Sequence, residues 1–238
     1  MAFTAASTIK IPVLVSVYRA TKEPTSGTIQ GLIRQMIAVS SNESADALVE
    51  SVLDSFTGPL KVTADMQKLG LKNTFFAGYF YPGAPLLQRF STPANQRIDI
   101  NLDPDPYNQT TPADMAMILE NIYQCAQDGG GAFAIVFPGE ITQTECQAML
   151  NVLQEDRIAM LLEAGLPDGS HIAHKHGWIT LNGVIIFMSD AGIVFSSGGD
   201  YVITFNMYHP TQLIFTPADL LVSQLSRTVY NYYNLGSQ

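Results

Sequence analysis

The feature that most constrains this chain lies in its last third. His171 to Thr180, Val184 to Phe195 and Tyr201 to Tyr208 are three runs rich in β-branched and aromatic residues. Asn182-Gly183 and Ser197-Gly198-Gly199 separate them, and glycine-bearing turns at that spacing predict an antiparallel meander. A sheet of this kind needs cover for its apolar faces. The stretch from Pro217 to Tyr232, read as a closing helix, and a helix-rich first two-thirds can supply it.

The opening segment reads as a buried helix from Thr8 to Tyr18, because Ile9, Val13, Leu14 and Val17 recur at helical spacing and Pro12 falls early enough to be tolerated. Ser7 then stands at its N-terminus. A second helix is expected from Ile29 to Val39, and a third after Asn42 with Ala45, Leu48, Val49 and Val52 on one face. Between Thr74 and Asn108 the prolines 82, 85, 93, 104 and 106 deny any long regular element. The aromatic residues Phe75, Phe76, Tyr79, Phe80 and Tyr81 argue that this long loop is ordered. Helix resumes after Thr111, an N-cap candidate, and runs to about Gln127; further helices are expected over Thr142–Leu153 and Ile158–Ala164.

Composition narrows the partners. The 238 residues, 47% of them hydrophobic, can bury a large core. A net charge of −9 leaves no basic stripe for nucleic acid or an anionic membrane surface. No apolar run approaches the roughly 18 residues of a membrane span, and the N-terminal stretch lacks the form of a secretory signal. Cys125 and Cys146, the only cysteines, are too few for a four-thiolate metal site. A disulfide and two buried thiols both stay open. No metal or cofactor is expected.

Three short motifs carry chemistry. In Ser7-Thr8-Ile9-Lys10 the spacing of three puts a hydroxyl and an amine on one helix face, where a lysine with a lowered pKa takes the serine's proton. Ser40-Ser41-Asn42 precedes a helix, and Lys175-His176-Gly177 lies on a predicted strand. By these motifs, their order and the wording around them, as in Ala5-Ala6-Ser7 to Pro12, Thr110-Thr111-Pro112 and Ala173-His174-Lys175, the chain resembles the serine β-lactamase and penicillin-binding-protein superfamily, class A branch.

The resemblance implies an α/β (α+β) fold of β-lactamase/transpeptidase type: an antiparallel sheet packed with helices, plus an all-helical lobe. A single catalytic domain over 1–238 is expected, with the helical lobe at about 22–165 and the sheet lobe at about 1–21 and 166–238. It also implies roles. Ser7 would be the nucleophile, Lys10 the general base, Ser40 a proton relay to the leaving nitrogen, and Lys175 a source of positive potential. Asn42, His176, Gly177 and Trp178 would line the substrate site, with an oxyanion hole at the N–H groups of Ser7 and Trp178. The expected ligand is a small-molecule β-lactam or a cell-wall peptide, and the expected location is secreted or periplasmic.

Several residues depart from the family pattern. Ser41 stands where aspartate is usual, His176 where threonine or serine is usual, and Trp178 is bulky for its place. Class A β-lactamases carry a Glu-x-x-Leu-Asn pattern whose glutamate activates the deacylating water. Here Ile100 to Asn108 contains no glutamate, and Asp103 and Asp105 read as turn acids. Only six residues precede Ser7, so the helix and two strands that normally open the fold are expected to be missing, leaving an open sheet edge at Tyr201–Tyr208 through which a homodimer would form. Serine hydrolysis through an acyl-enzyme, with slow deacylation, is the leading expectation. A penicillin-binding or peptidase-like protein, or a cell-wall peptide binding module, is the alternative.

Overall fold

A computed structural model describes residues 1–100 and 102–235. A two-residue strand, β1 (Phe3–Thr4), leads into a single 3-10 turn over Ala6–Ile9 and then into α1 (Lys10–Ala20). Residues Lys10 to Tyr18 of α1 are all buried. A segment as uniformly apolar as Ile11-Pro12-Val13-Leu14-Val15 has no polar face to offer water, so it becomes the central helix. Against it pack α2 (Gly27–Ala38), α3 (Asn42–Leu48), α4 (Gly58–Lys68) and α7 (Gln143–Leu153), with α5 (Pro112–Asp128) packed on α7 and α6 (Gly131–Val136) on α5. Side-chain caps open several of them: Ser26 for α2, Ser41 for α3, Thr111 for α5 and a reciprocal Thr142–Glu145 capping box for α7.

The long loop is closed at its base by two short strands, β2 (Phe75–Phe76) and β3 (Asn108–Thr110), which pair antiparallel, β3 also pairing with β1. The loop's aromatic content is ordered as expected. Phe75, Phe76 and Tyr79 are buried, and Asp46 on α3 accepts the backbone N–H groups of Phe80 and Tyr81 at 2.9 Å.

After α8 (Leu161–Ala164) come β4 (His171–Leu181), β5 (Val184–Phe195) and β6 (Tyr201–Tyr208), and then α9 (Phe215–Tyr233). The three strands form the meander, in the order β4-β5-β6. Its two faces follow the period of two. Ala173, Ala191 and Ile193 join the core of the helical lobe, while Ile172, Val194 and Ile203 join Leu161, Leu162 and Val222 of α8 and α9. Among the described residues β6 pairs with β5 alone.

One expectation needs revision, one helix was not foreseen, and one open alternative is decided. The helix placed over Ile158–Ala164 is limited to Leu161–Ala164, because the positive φ of Ala159 (52°) interrupts the chain before it and Leu161, at its first position, still has a φ of 56°, outside the right-handed helical region. α4 was not foreseen; its Pro59 falls in the first turn, where proline suits a helix. The two cysteines are joined. Cys125 on α5 and Cys146 on α7 form a disulfide with a Cα separation of 5.8 Å.

Candidate active site

The first and second motifs meet at the head of α1. Ser7 lies in the 3-10 turn and is half-buried, whereas Lys10 is completely buried. The Lys10 Nζ donates to the carbonyl and hydroxyl oxygens of Ser40, the latter at 3.1 Å, to Asn42 Oδ1 at 2.8 Å and to Ser7 Oγ at 3.3 Å. The Phe80 ring covers it with its centroid 5.2 Å away. All four acceptors are neutral. Burial first, and then repulsion by Lys175, lower the Lys10 ammonium to a pKa of about 7, against the weaker pull of Asp156, Glu43 and Asp46.

Backbone geometry serves this cluster. Ala6 and Ser40 both have positive φ, 49° and 57°, and sparsely populated conformations of that kind persist only where surrounding contacts hold them. One turns the chain into Ser7. The other swings the Ser40 carbonyl toward Lys10 while leaving Ser41 free to cap α3.

The third motif arrives on β4. A Cβ at Gly177 would lie 2.7 Å from the backbone nitrogen of Ser7, so only glycine lets the strand approach the nucleophile turn this closely. Lys175 is fully buried and its Nζ donates to Asp156 Oδ2 at 2.9 Å. The same oxygen accepts the backbone N–H of His176 at 3.1 Å and stands 2.9 Å from His176 Nδ1. Burial lowers Lys175, with Asp156 pulling it back up; burial alone would raise Asp156, but the His176 hydrogen bond and the Lys175 charge hold its carboxyl below the ordinary range. The His176 ring packs on the Trp178 indole with centroids 4.8 Å apart, and Trp178 is 41% exposed at the rim.

The strand's other titratable residues turn away. His174 pairs with Asp190 on β5 at 2.9 Å, both being buried; burial works to lower the imidazole, but Asp190 reverses that and raises it. Asp105 in the glutamate-free loop accepts the N–H of Tyr107 at 2.8 Å and is raised by burial. The structure thus brings Ser7, Lys10, Ser40 and Asn42 into direct contact, and sets Lys175, His176, Gly177 and Trp178 along the adjoining strand. Sequence reading missed Asp156 and Asp190. Asp156 stands in a non-helical segment 19 residues before Lys175, where no motif or periodicity marks it.

With the geometry in place, comparison with known proteins decides the family. The model of the beta-lactamase enzyme family matches residues 20–233. The chain belongs to this family. The match begins beyond Ser7 and Lys10, so for those two residues the geometry carries the argument. No curated protein matches this beta-lactamase-family chain in sequence. Among solved structures it is similar to PBP-A, with 22% identity over 99% of this chain and 83% of that one and a TM-score of 0.70. It is also similar to a PBP-A variant described as an acyl-enzyme complex with penicillin G (23%, 99% and 83%, TM-score 0.68). A third is the β-lactamase from Sphaerobacter thermophilus (19%, 99% and 85%, TM-score 0.68). These likenesses show the fold: a β-lactamase-type sheet and helical lobe, and with the family match a β-lactamase-like serine hydrolase.

Proposed function

We propose that Ser7 forms an acyl-enzyme with a β-lactam or a related activated amide and that this intermediate is hydrolysed slowly. The observation that carries the reading is the contact between Lys10 and Ser7, made by a buried lysine whose other partners are all uncharged oxygens. A neutral amine there accepts the Ser7 proton as Oγ bonds to the carbonyl carbon. Collapse of the tetrahedral adduct breaks the carbon–nitrogen bond, and the leaving nitrogen takes a proton through the Ser40 hydroxyl. The N–H groups of Ser7 and Trp178 stabilise the oxyanion, a role that the close approach of Gly177 to the Ser7 nitrogen supports. Asn42 and His176 line the acyl and leaving-group sides.

Slow release follows from the loop. Ile100 to Asn108 holds no glutamate, and Asp105 is committed to the Tyr107 N–H, so the residue type that activates the deacylating water in class A enzymes has no counterpart in this segment. That favours a persistent adduct of the penicillin-binding type as the second reading, and the PBP-A variant bearing a penicillin G adduct agrees with it. The disulfide suits an extracytoplasmic setting, and β6, which pairs with β5 alone among the described residues, suits a homodimer.

Intact-protein mass after incubation with a penicillin tests the reading. We expect a one-to-one adduct that Ser7→Ala lacks and that clears over minutes to hours. An adduct on both proteins, or on neither, overturns it.

A further inference from the structure

The charges around the cleft point to a substrate class. Resting on the acyl-enzyme reading above, we infer that the site is built for acyl donors that carry no negative charge beside the leaving group, and that an uncharged β-lactam ester outcompetes its carboxylate form.

The argument is one of charge count and placement. Lys175 is the cation of the third motif, but its ammonium is matched by the buried Asp156, whose same oxygen also engages His176 through both ring and backbone. The two groups best placed to grip a carboxylate are thus already gripping one. Besides Lys10 itself, the charges interacting with that residue are one cation, Lys175, and three carboxylates, Asp156, Glu43 and Asp46. Among the described residues the arginines that pair with acids do so outside the cleft: Arg19 with Asp65 and Glu140, Arg34 with Glu155, Arg97 with Asp99.

An anion entering here loses hydration and meets net repulsion, since charges a few Å apart at a partly buried site interact far more strongly than in water. An uncharged group meets aromatic surface instead. Trp178, tilted against His176, and Tyr81, next in sequence to the Phe80 whose ring covers Lys10, are 41% and 50% exposed. Flat, partly exposed rings of this kind bind apolar groups that have little water to lose.

Benzylpenicillin and its methyl ester test this, because they share one reactive ring and differ by one charge. Acylation of Ser7 is followed by intact mass at low salt, each rate divided by that compound's rate of hydroxide-catalysed hydrolysis. The ester is expected to react at least about tenfold faster. Salt raised from about 0.02 M to about 0.5 M, which shortens the screening length several-fold, should speed the acid and leave the ester unchanged. Trp178→Arg, at an exposed rim position, should favour the acid over the ester by roughly tenfold relative to the parent. Acid reacting as fast as ester in the parent protein, with no salt dependence, overturns the inference while leaving the Ser7 reading intact. No adduct from either compound instead overturns the Ser7 reading, and the inference falls with it.

Discussion

The cleft contains two fully buried lysines, and they are held in opposite ways. Lys10 rests on a carbonyl, two hydroxyls and an amide oxygen; Lys175 rests on a carboxylate. Burial drags both ammonium groups down. Only Lys175 has a carboxylate within hydrogen-bonding distance to oppose that pull, whereas Lys10, at about 7, loses its proton near neutrality. Neutral acceptors orient an amine without fixing its charge, and that is what separates a base from a strut.

The largest effect expected from this contrast is on chemistry. Lys10→Ala should slow acylation of Ser7 by about 10²–10⁴-fold, read by the rate of adduct formation, with the urea midpoint little changed. An equal fall in stability would show that Lys10 is a second strut. Asp156→Ala should do the reverse. It strands a buried ammonium, so the unfolding free energy should drop by about 3–5 kcal/mol, measured by urea denaturation.

The smallest effect is the sharpest test. Acylation should fall about tenfold for each pH unit below 7 and level off above it, because the working form of Lys10 is the deprotonated one and its pKa lies near 7. Asn42→Asp gives Lys10 the kind of partner that Lys175 has, at an exposed position in the first turn of α3 where an acid is tolerated. It should move the midpoint of the pH–rate profile upward by about one unit. A midpoint that stays in place would mean that the charge of the second-motif partner does not set the base.

Much of this arrangement was legible in the sequence, for reasons that differ by region. The meander was legible because turn glycines and β-branched runs are local signals, and the observed bounds of β5 and β6 coincide with the expected ones. Ser7 and Lys10 were legible because a spacing of three puts them on one helical turn and the other two motifs follow in order. Asp156 was not, since its importance arises wholly from the chain returning to Lys175 and His176 across 19 and 20 residues of sequence. The two short strands that shut the long loop were hidden for a similar reason: Phe75 pairs with Gln109, a partner that no local pattern announces. α4 was masked by its own start, because Gly-Pro signals a turn and a helix's first residues equally well.

The link between Cys125 and Cys146 ties α5 to α7 across 21 residues, and α7 ends three residues before Asp156. A closed ring of that size restricts the unfolded chain and is worth about 3 kcal/mol, so opening it weakens the helix that delivers the carboxylate under Lys175. The handling of the sample then enters its specification. Protein purified with a thiol reductant and protein purified without one are two different materials from a single gene, and ought to be assayed under separate labels.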